Sequence, residues 1–161
     1  MLTIAEIQDG ATKFRKLIET RDKKNTCFVI DRFPIMSCRL SSMLLSYHFL
    51  KSCPELVITG VSTATGKHDH ITHYWLEIND IIIDLTGNQY NIINDYELNN
   101  EIINSRPFPP IHVLHKDESN LNKTFKTKET HIFVHGFPEI TDDFIDDDGS
   151  WYNQLLKPCI A

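Results

Sequence analysis

The stretch ITHYWLEINDIIIDLT, residues 71–86, restricts the fold more than any other feature of this chain. It contains two apolar runs rich in β-branched and aromatic residues, which favour strands. Asn79 and Asp80 separate the runs, and such residues between two apolar runs are typical of a β-hairpin. With the preceding segment LVITGVST, residues 56–86 are predicted to form an antiparallel meander.

The hairpin also predicts which side chains share a face, because successive residues of a strand point to opposite sides. One face of the first strand carries His73, Trp75 and Glu77, and the other carries Tyr74, Leu76 and Ile78. A turn centred on Asn79 and Asp80 places Ile83–Leu85 opposite or diagonal to Tyr74 and Trp75. Asp84 is therefore expected close to the level of His73.

Two helices are predicted before the meander. Residues 3–20 carry apolar side chains at helical spacing, and Thr3 with Glu6 forms a capping box at the start. A second helix runs from about Cys38 to Lys51, with Ser37 as a favoured N-cap type. The chain is predicted to be one α+β domain, residues 1–161, in which a helix packs on an antiparallel sheet.

Charge and composition exclude several classes of function. The net charge of −6, with an acidic run from Asp142 to Asp148, opposes nucleic-acid binding, which needs a positive surface. No apolar run approaches the length of a membrane-spanning helix, and the N-terminus lacks the pattern of a secretory signal. A cytoplasmic protein is expected, or an effector or toxin delivered by another route; the oligomeric state is not indicated.

Cysteine and histidine spacing does not predict a cofactor or a metal. The four cysteines form no CxxC pair. His68, His70 and His73 are a zinc alternative, but alternating histidines in a loop are more often solvated.

Cys38 is the candidate nucleophile, because it stands at the predicted start of the second helix. A thiol attacks as its thiolate, and a helix N-terminus and a nearby imidazolium both favour that form. His73 is the candidate base and acid, and Asp84 is the candidate group that orients its ring. The alternative for Cys38 is a buried free cysteine that only packs.

Cys38, followed by His-x-Trp-x-Glu and then Asp-x-Thr, resembles the papain-like and transglutaminase-like superfamily of thiol enzymes. More closely, FPIMSC with HYWLEINDIIIDLTGNQY resembles small bacterial papain-fold proteins, a group that includes toxin domains and effector glutamine deamidases. The likeness covers roughly residues 30–90. It implies a papain-like fold with Cys38, His73 and Asp84 as a catalytic triad.

Other site residues follow from the comparison with that pattern. Gln89 matches its trailing glutamine and is expected to contact substrate, and Trp75 is expected in the core or in a cleft wall that contacts substrate. Arg39 departs from the pattern, since a small residue often follows the nucleophile; it either crowds the cleft or binds an acidic substrate group. No upstream glutamine takes the usual oxyanion position, so the expected donors are the Cys38 amide and Asn25, with Ser37 or another backbone amide as the alternative to Asn25.

The sequence therefore predicts a cysteine-dependent amide hydrolase that acts on a protein or peptide as a peptidase or a glutamine deamidase, with transamidation by the same pathway. The alternative is a catalytically degenerate papain-like scaffold that acts as a binding, immunity or adaptor protein. Arg39 and the missing glutamine motivate this alternative.

Overall fold

The computed structural model describes residues 1–20 and 32–135. It is an α+β structure whose longest helices are α1 (Ile4–Glu19) and α2 (Cys38–Ser52). The strands are β1 (Ile58–Thr65), β2 (Ile71–Ile78), β3 (Ile81–Asp84), β4 (His112–His115) and β5 (Lys126–Phe133). Two short helices, α3 (Asn100–Asn104) and α4 (Leu121–Thr124), lie in the later part of the described chain.

Helix α1 begins with the predicted capping box. The Thr3 hydroxyl accepts a hydrogen bond from the Glu6 amide at 3.2 Å, and the Glu6 carboxylate accepts one from the Thr3 amide at 2.7 Å. Gly10 lies where α1 meets α2: a Cβ there would come within 2.7 Å of the Phe49 ring. The glycine that weakens the helical pattern therefore permits close packing of the two helices.

The five strands form one antiparallel sheet in the order β4-β3-β2-β1-β5. The predicted hairpin register is confirmed: Ile78 pairs with Ile81, and Leu76 pairs with Ile83. β4 extends the sheet beyond β3, and β5 pairs with β1 at the opposite edge.

The sheet has a separate apolar cluster on each face. Helices α1 and α2 pack against the face that carries Tyr74, Leu76 and Ile78. The opposite face carries Trp75 and Ile82, which pack with Tyr90 and Phe125 from the segments that follow β3. The predicted division of β2 side chains between two faces is therefore confirmed, with both faces covered.

Later segments differ in detail from the prediction. The segment NDYELNNEIINS, residues 94–105, favours a short helix, but the structure divides it into a 3-10 turn, Asp95–Glu97, and α3. The segment THIFVHG predicts a strand from residue 130, whereas β5 begins at Lys126. The sequence does not indicate the first residues of β5 because most of its side chains are exposed and follow no apolar alternation. The run TCFVI favours a strand and GSWYNQLLK favours a short terminal helix, but both of them and the acidic run lie outside the described residues.

Among residues 1–20 and 32–135, no helix combines the length and apolar character that crossing a membrane requires.

Candidate active site

Cys38 is the first residue of α2, and this helix N-terminus has no side-chain cap. Ser37 occupies the N-cap position, but its hydroxyl donates to the Ile35 carbonyl at 3.1 Å instead of accepting from the helix. Ser37 therefore takes the predicted N-cap position, but its side chain does not cap the helix. First-turn amides without a cap are available to an anion, and the helix dipole favours negative charge at this end.

His73 and Asp84 form a buried pair on adjacent strands. Nε2 of His73 lies 2.7 Å from Oδ2 of Asp84, and each residue is only 1% exposed. The other carboxylate oxygen accepts from the Thr86 amide at 2.9 Å. Gly87 leaves room for the carboxylate, since a Cβ there would lie 2.7 Å from Oδ2. The prediction that the hairpin brings Asp84 to His73 is confirmed.

The three candidate catalytic residues meet at the imidazole. Burial alone would lower the pKa of His73, but the charge and hydrogen bond of Asp84, with smaller contributions from a hydrogen bond and the charge of Cys38, raise it to about 10. Burial alone would raise the pKa of Asp84, but the His73 charge and hydrogen bond, with the Thr86 amide, lower it. The arrangement therefore holds a protonated imidazole between a carboxylate and a sulfur at neutral pH.

The two ring nitrogens of His73 have different partners. Because Nε2 is bound to Asp84, Nδ1 is the nitrogen that faces the remaining polar groups. Nε2 of Gln89 lies 3.4 Å from Nδ1. The carboxylate bound to Nε2 fixes the imidazole ring, and Nδ1 is then the nitrogen that can give and take protons, as general acid–base chemistry requires.

Aromatic rings enclose the imidazole. The centroids of Tyr90 and Phe125 lie 5.2 Å and 5.3 Å from that of His73, and the Tyr90 ring meets it edge-on. The Trp75 centroid lies at 6.1 Å. Such packing fixes the ring plane and keeps water from the His73–Asp84 pair, which strengthens the electrostatic interaction between them.

Trp75 belongs to the core. It is 0% exposed, and its indole N–H donates to Glu77 at 3.2 Å. A side chain without exposed surface has none with which to contact a substrate. The structure thus corrects the assignment of Trp75 to substrate binding and agrees with its core interpretation.

Gln89 lies in the 3-10 helix Gly87–Asn91, which follows β3, and it is only 5% exposed. Arg15 of α1 holds this segment in place, because its guanidinium donates to the Leu85 carbonyl and, at 3.1 Å, to Asn88. The sequence marks Gln89 only through its likeness to the papain-fold pattern, and nothing in the sequence indicates Arg15, whose partners are about seventy residues away.

A groove begins beside Gln89. Its volume is about 430 Å³, and it is lined mainly by apolar and aromatic side chains, among them Met36, Ile71, Tyr90, Ile93, Tyr96 and Leu98. Met36 and Tyr96 are 86% and 85% exposed, which is unusual for such side chains. Met36 is two residues before Cys38 and has a left-handed backbone, with φ of 59°.

Arg39 is exposed, and its guanidinium lies 5.8 Å from the centre of the Tyr74 ring. It therefore leans on the sheet face opposite His73, where an arginine stacks favourably on an aromatic ring. Its expected contact with an acidic substrate group stays a prediction. Asn25, the other expected oxyanion donor, lies outside the described residues.

The zinc alternative has no support from the geometry of the described residues. Within residues 1–20 and 32–135, no group of three histidine, cysteine or acidic side chains is arranged to hold a metal. His73 directs Nε2 to Asp84, and His70 directs Nδ1 to the Lys67 carbonyl at 2.8 Å.

The chain matches no protein-family model, and neither a curated protein nor a solved structure gives a significant match.

Proposed function

We propose that this protein is a cysteine-dependent amide hydrolase, a peptidase or protein glutamine deamidase of the papain-like type. The observation that carries the proposal is the position of His73, which is bound to Asp84 and interacts with Cys38 at the uncapped start of α2. A free cysteine, an imidazole and a carboxylate in this order are the components of thiol acyl-transfer catalysis.

Catalysis begins from the thiolate–imidazolium pair. The Cys38 thiolate attacks the amide carbonyl carbon, and the electron pair of the carbonyl moves to oxygen. The first-turn amides of α2 face the developing oxyanion. Nδ1–H of His73 then protonates the leaving nitrogen, the carbon–nitrogen bond breaks, and a thioester remains on Cys38.

Hydrolysis of the thioester returns the enzyme to its first state. The neutral His73 takes a proton from water, and the hydroxide attacks the thioester carbonyl. The carbon–sulfur bond breaks, a carboxylic acid leaves and releases its proton to solvent, and the thiolate again faces an imidazolium. Asp84 keeps the ring oriented in both steps and stabilises its charged form.

The groove beside Gln89 supports a protein or peptide substrate with an apolar side chain close to the reacting amide. The exposed side chains of Met36 and Tyr96 offer apolar surface beside Gln89, and Met36 stands two residues before Cys38 in the chain. Concave apolar surface beside convergent polar groups is the usual form of a substrate site.

Alkylation by iodoacetamide at neutral pH, followed by peptide mapping, tests the proposal. Cys53 is the matched control, because it is also a free and half-buried cysteine but lies at the other end of α2. Cys38 is expected to react at least about tenfold faster than Cys53, and His73→Ala is expected to remove the difference. Equal rates at the two cysteines in the unaltered protein would refute the proposed function.

A further inference from the structure

Gln89 is buried beside the imidazole of His73, and its match to the papain-fold pattern does not explain this position. Its side chain is only 5% exposed, yet it lines the same groove as Met36, which stands two residues before Cys38 in the chain. Its amide nitrogen lies 3.4 Å from Nδ1 of His73, the nitrogen that faces away from Asp84. The amide is therefore directed at the imidazole nitrogen that Asp84 leaves available for proton transfer.

The protonation state of His73 decides what the Gln89 amide can do. A neutral Nδ1 accepts a hydrogen bond from the amide N–H. A protonated Nδ1 is itself a donor, so the amide loses this acceptor. Because the pKa of His73 is raised to about 10, chiefly by Asp84 against the opposing effect of burial, the protonated form is the resting one at neutral pH. The amide N–H groups are then available to another acceptor in the same small space.

We infer that Gln89 is the side-chain donor of the oxyanion hole and acts together with the backbone amide of Cys38. The inference rests on the proposed function, since it assigns a role in the same acyl-transfer step. It also supplies the side-chain donor that the sequence lacks before Cys38, because the carboxamide here comes from the segment after β3. Arg15 fixes that segment through the Leu85 carbonyl and Asn88.

A buried amide directed at the site is suited to this role. A preorganised donor acts most strongly where water is excluded, and removal of one oxyanion donor costs about 10²–10³ in rate. A role limited to orienting the imidazole predicts a different result, because it changes the reactivity of Cys38 towards every electrophile. Two electrophiles separate these possibilities.

The experiment compares iodoacetamide with p-nitrophenyl acetate on the full chain. Alkylation displaces iodide from carbon and forms no oxyanion, whereas transfer of the acetyl group passes through a tetrahedral oxyanion. Gln89→Met, which conserves volume, is expected to slow acetylation of Cys38 by about tenfold or more and to leave alkylation within about twofold. Asn94→Ala, which removes an exposed carboxamide from the same region, is the control and is expected to change neither rate.

The outcomes are distinct. Acetylation within about twofold of the unaltered protein would overturn the assignment of Gln89, and so would an equal loss in both reactions, which marks an orienting role. Alkylation at its normal rate shows that the variant is folded; where Gln89→Met does not fold, Gln89→Asn retains the amide one methylene short and is expected to show the same selective loss. Failure of the proposed function itself appears separately, as equal reactivity of Cys38 and Cys53 in the unaltered protein.

Discussion

Oδ2 of Asp84 lies 2.7 Å from Nε2 of His73, although the two residues belong to different strands and are not direct partners in the β2–β3 ladder. The ladder ends at the pair Leu76 and Ile83. Extending the same register by one residue brings Asp84 to the level of Trp75, so that His73 is its diagonal neighbour on the same face. Diagonal side chains on one face are within reach of each other when one is long or aromatic. The hairpin thus fixes the acid–imidazole pair.

Asp84→Asn tests the electrostatic part of this relationship. The Asp84 charge raises the pKa of His73 against burial, which lowers it. With a neutral amide in its place, burial dominates and the imidazole is neutral at lower pH. We expect alkylation of Cys38 near neutral pH to fall by about tenfold, because the thiolate loses its cationic partner. The rate of iodoacetamide reaction as a function of pH measures this.

Asp80→Asn is the control for that variant, because Asp80 is an exposed acid in the turn of the same hairpin. It is expected to react like the unaltered protein. An unchanged pH–rate profile in Asp84→Asn would show that the carboxylate does not maintain the charged imidazole.

Stability as a function of pH tests the same pair without reference to activity. The pKa of His73 is raised from 6.5 to about 10, so its contribution to the free energy of unfolding is complete below 6.5 and is lost as pH rises towards 10. The pKa of Asp84 is lowered from 3.8, so its contribution is present above that value and is lost as pH falls through its folded-state pKa. Stability is expected to be highest between these two regions.

Thermal unfolding across that range, in the unaltered protein and in His73→Gln, gives the measurement. The glutamine does not titrate, so the loss of stability between pH 6.5 and 10 should be smaller in the variant. Parallel curves for the two proteins in this interval would contradict the raised pKa of His73.

The sequence predicts the hairpin, the two faces of β2 and the His73–Asp84 pair because each depends on local alternation and on one turn. It also predicts α1 with its cap and α2 with Cys38 at its start. The positions of Gln89 and Arg15 depend on an irregular segment and on contacts between distant parts of the chain, for which no periodicity exists. The burial of Trp75 follows from the segments after β3 that cover the second face, and these carry no pattern that predicts such packing.

Gly10→Ala tests the packing of α1 on α2. Alanine normally stabilises a helix by about 1 kcal/mol relative to glycine. Here the new Cβ would lie 2.7 Å from the ring of Phe49, a buried residue. Overpacking costs about 1–3 kcal/mol, so we expect net destabilisation, measured by denaturant unfolding.

The double variant Gly10→Ala with Phe49→Leu provides the control, because the smaller side chain removes the clash. The two changes are expected to be less destabilising together than the sum of their separate effects. Additive effects would show that the methyl group and the ring do not compete for space. Neither change is expected to alter alkylation of Cys38.

Tyr96→Ser tests the groove as the site of the substrate side chain. Two irreversible peptide vinyl sulfones that differ only in a leucine or a glutamate next to the electrophile serve as probes. The apolar walls and the acidic Glu97 at the groove favour leucine over glutamate, so the unaltered protein should react faster with the leucine probe. Tyr96→Ser removes exposed aromatic surface and is expected to reduce this preference several-fold, while the iodoacetamide rate stays the same.

Ile132→Ser, at an apolar position on β5 that is also exposed, is the control and should keep the preference. Equal rates for the two probes in the unaltered protein would show that the groove does not recognise the substrate side chain, because the rate at Cys38 would not depend on that side chain.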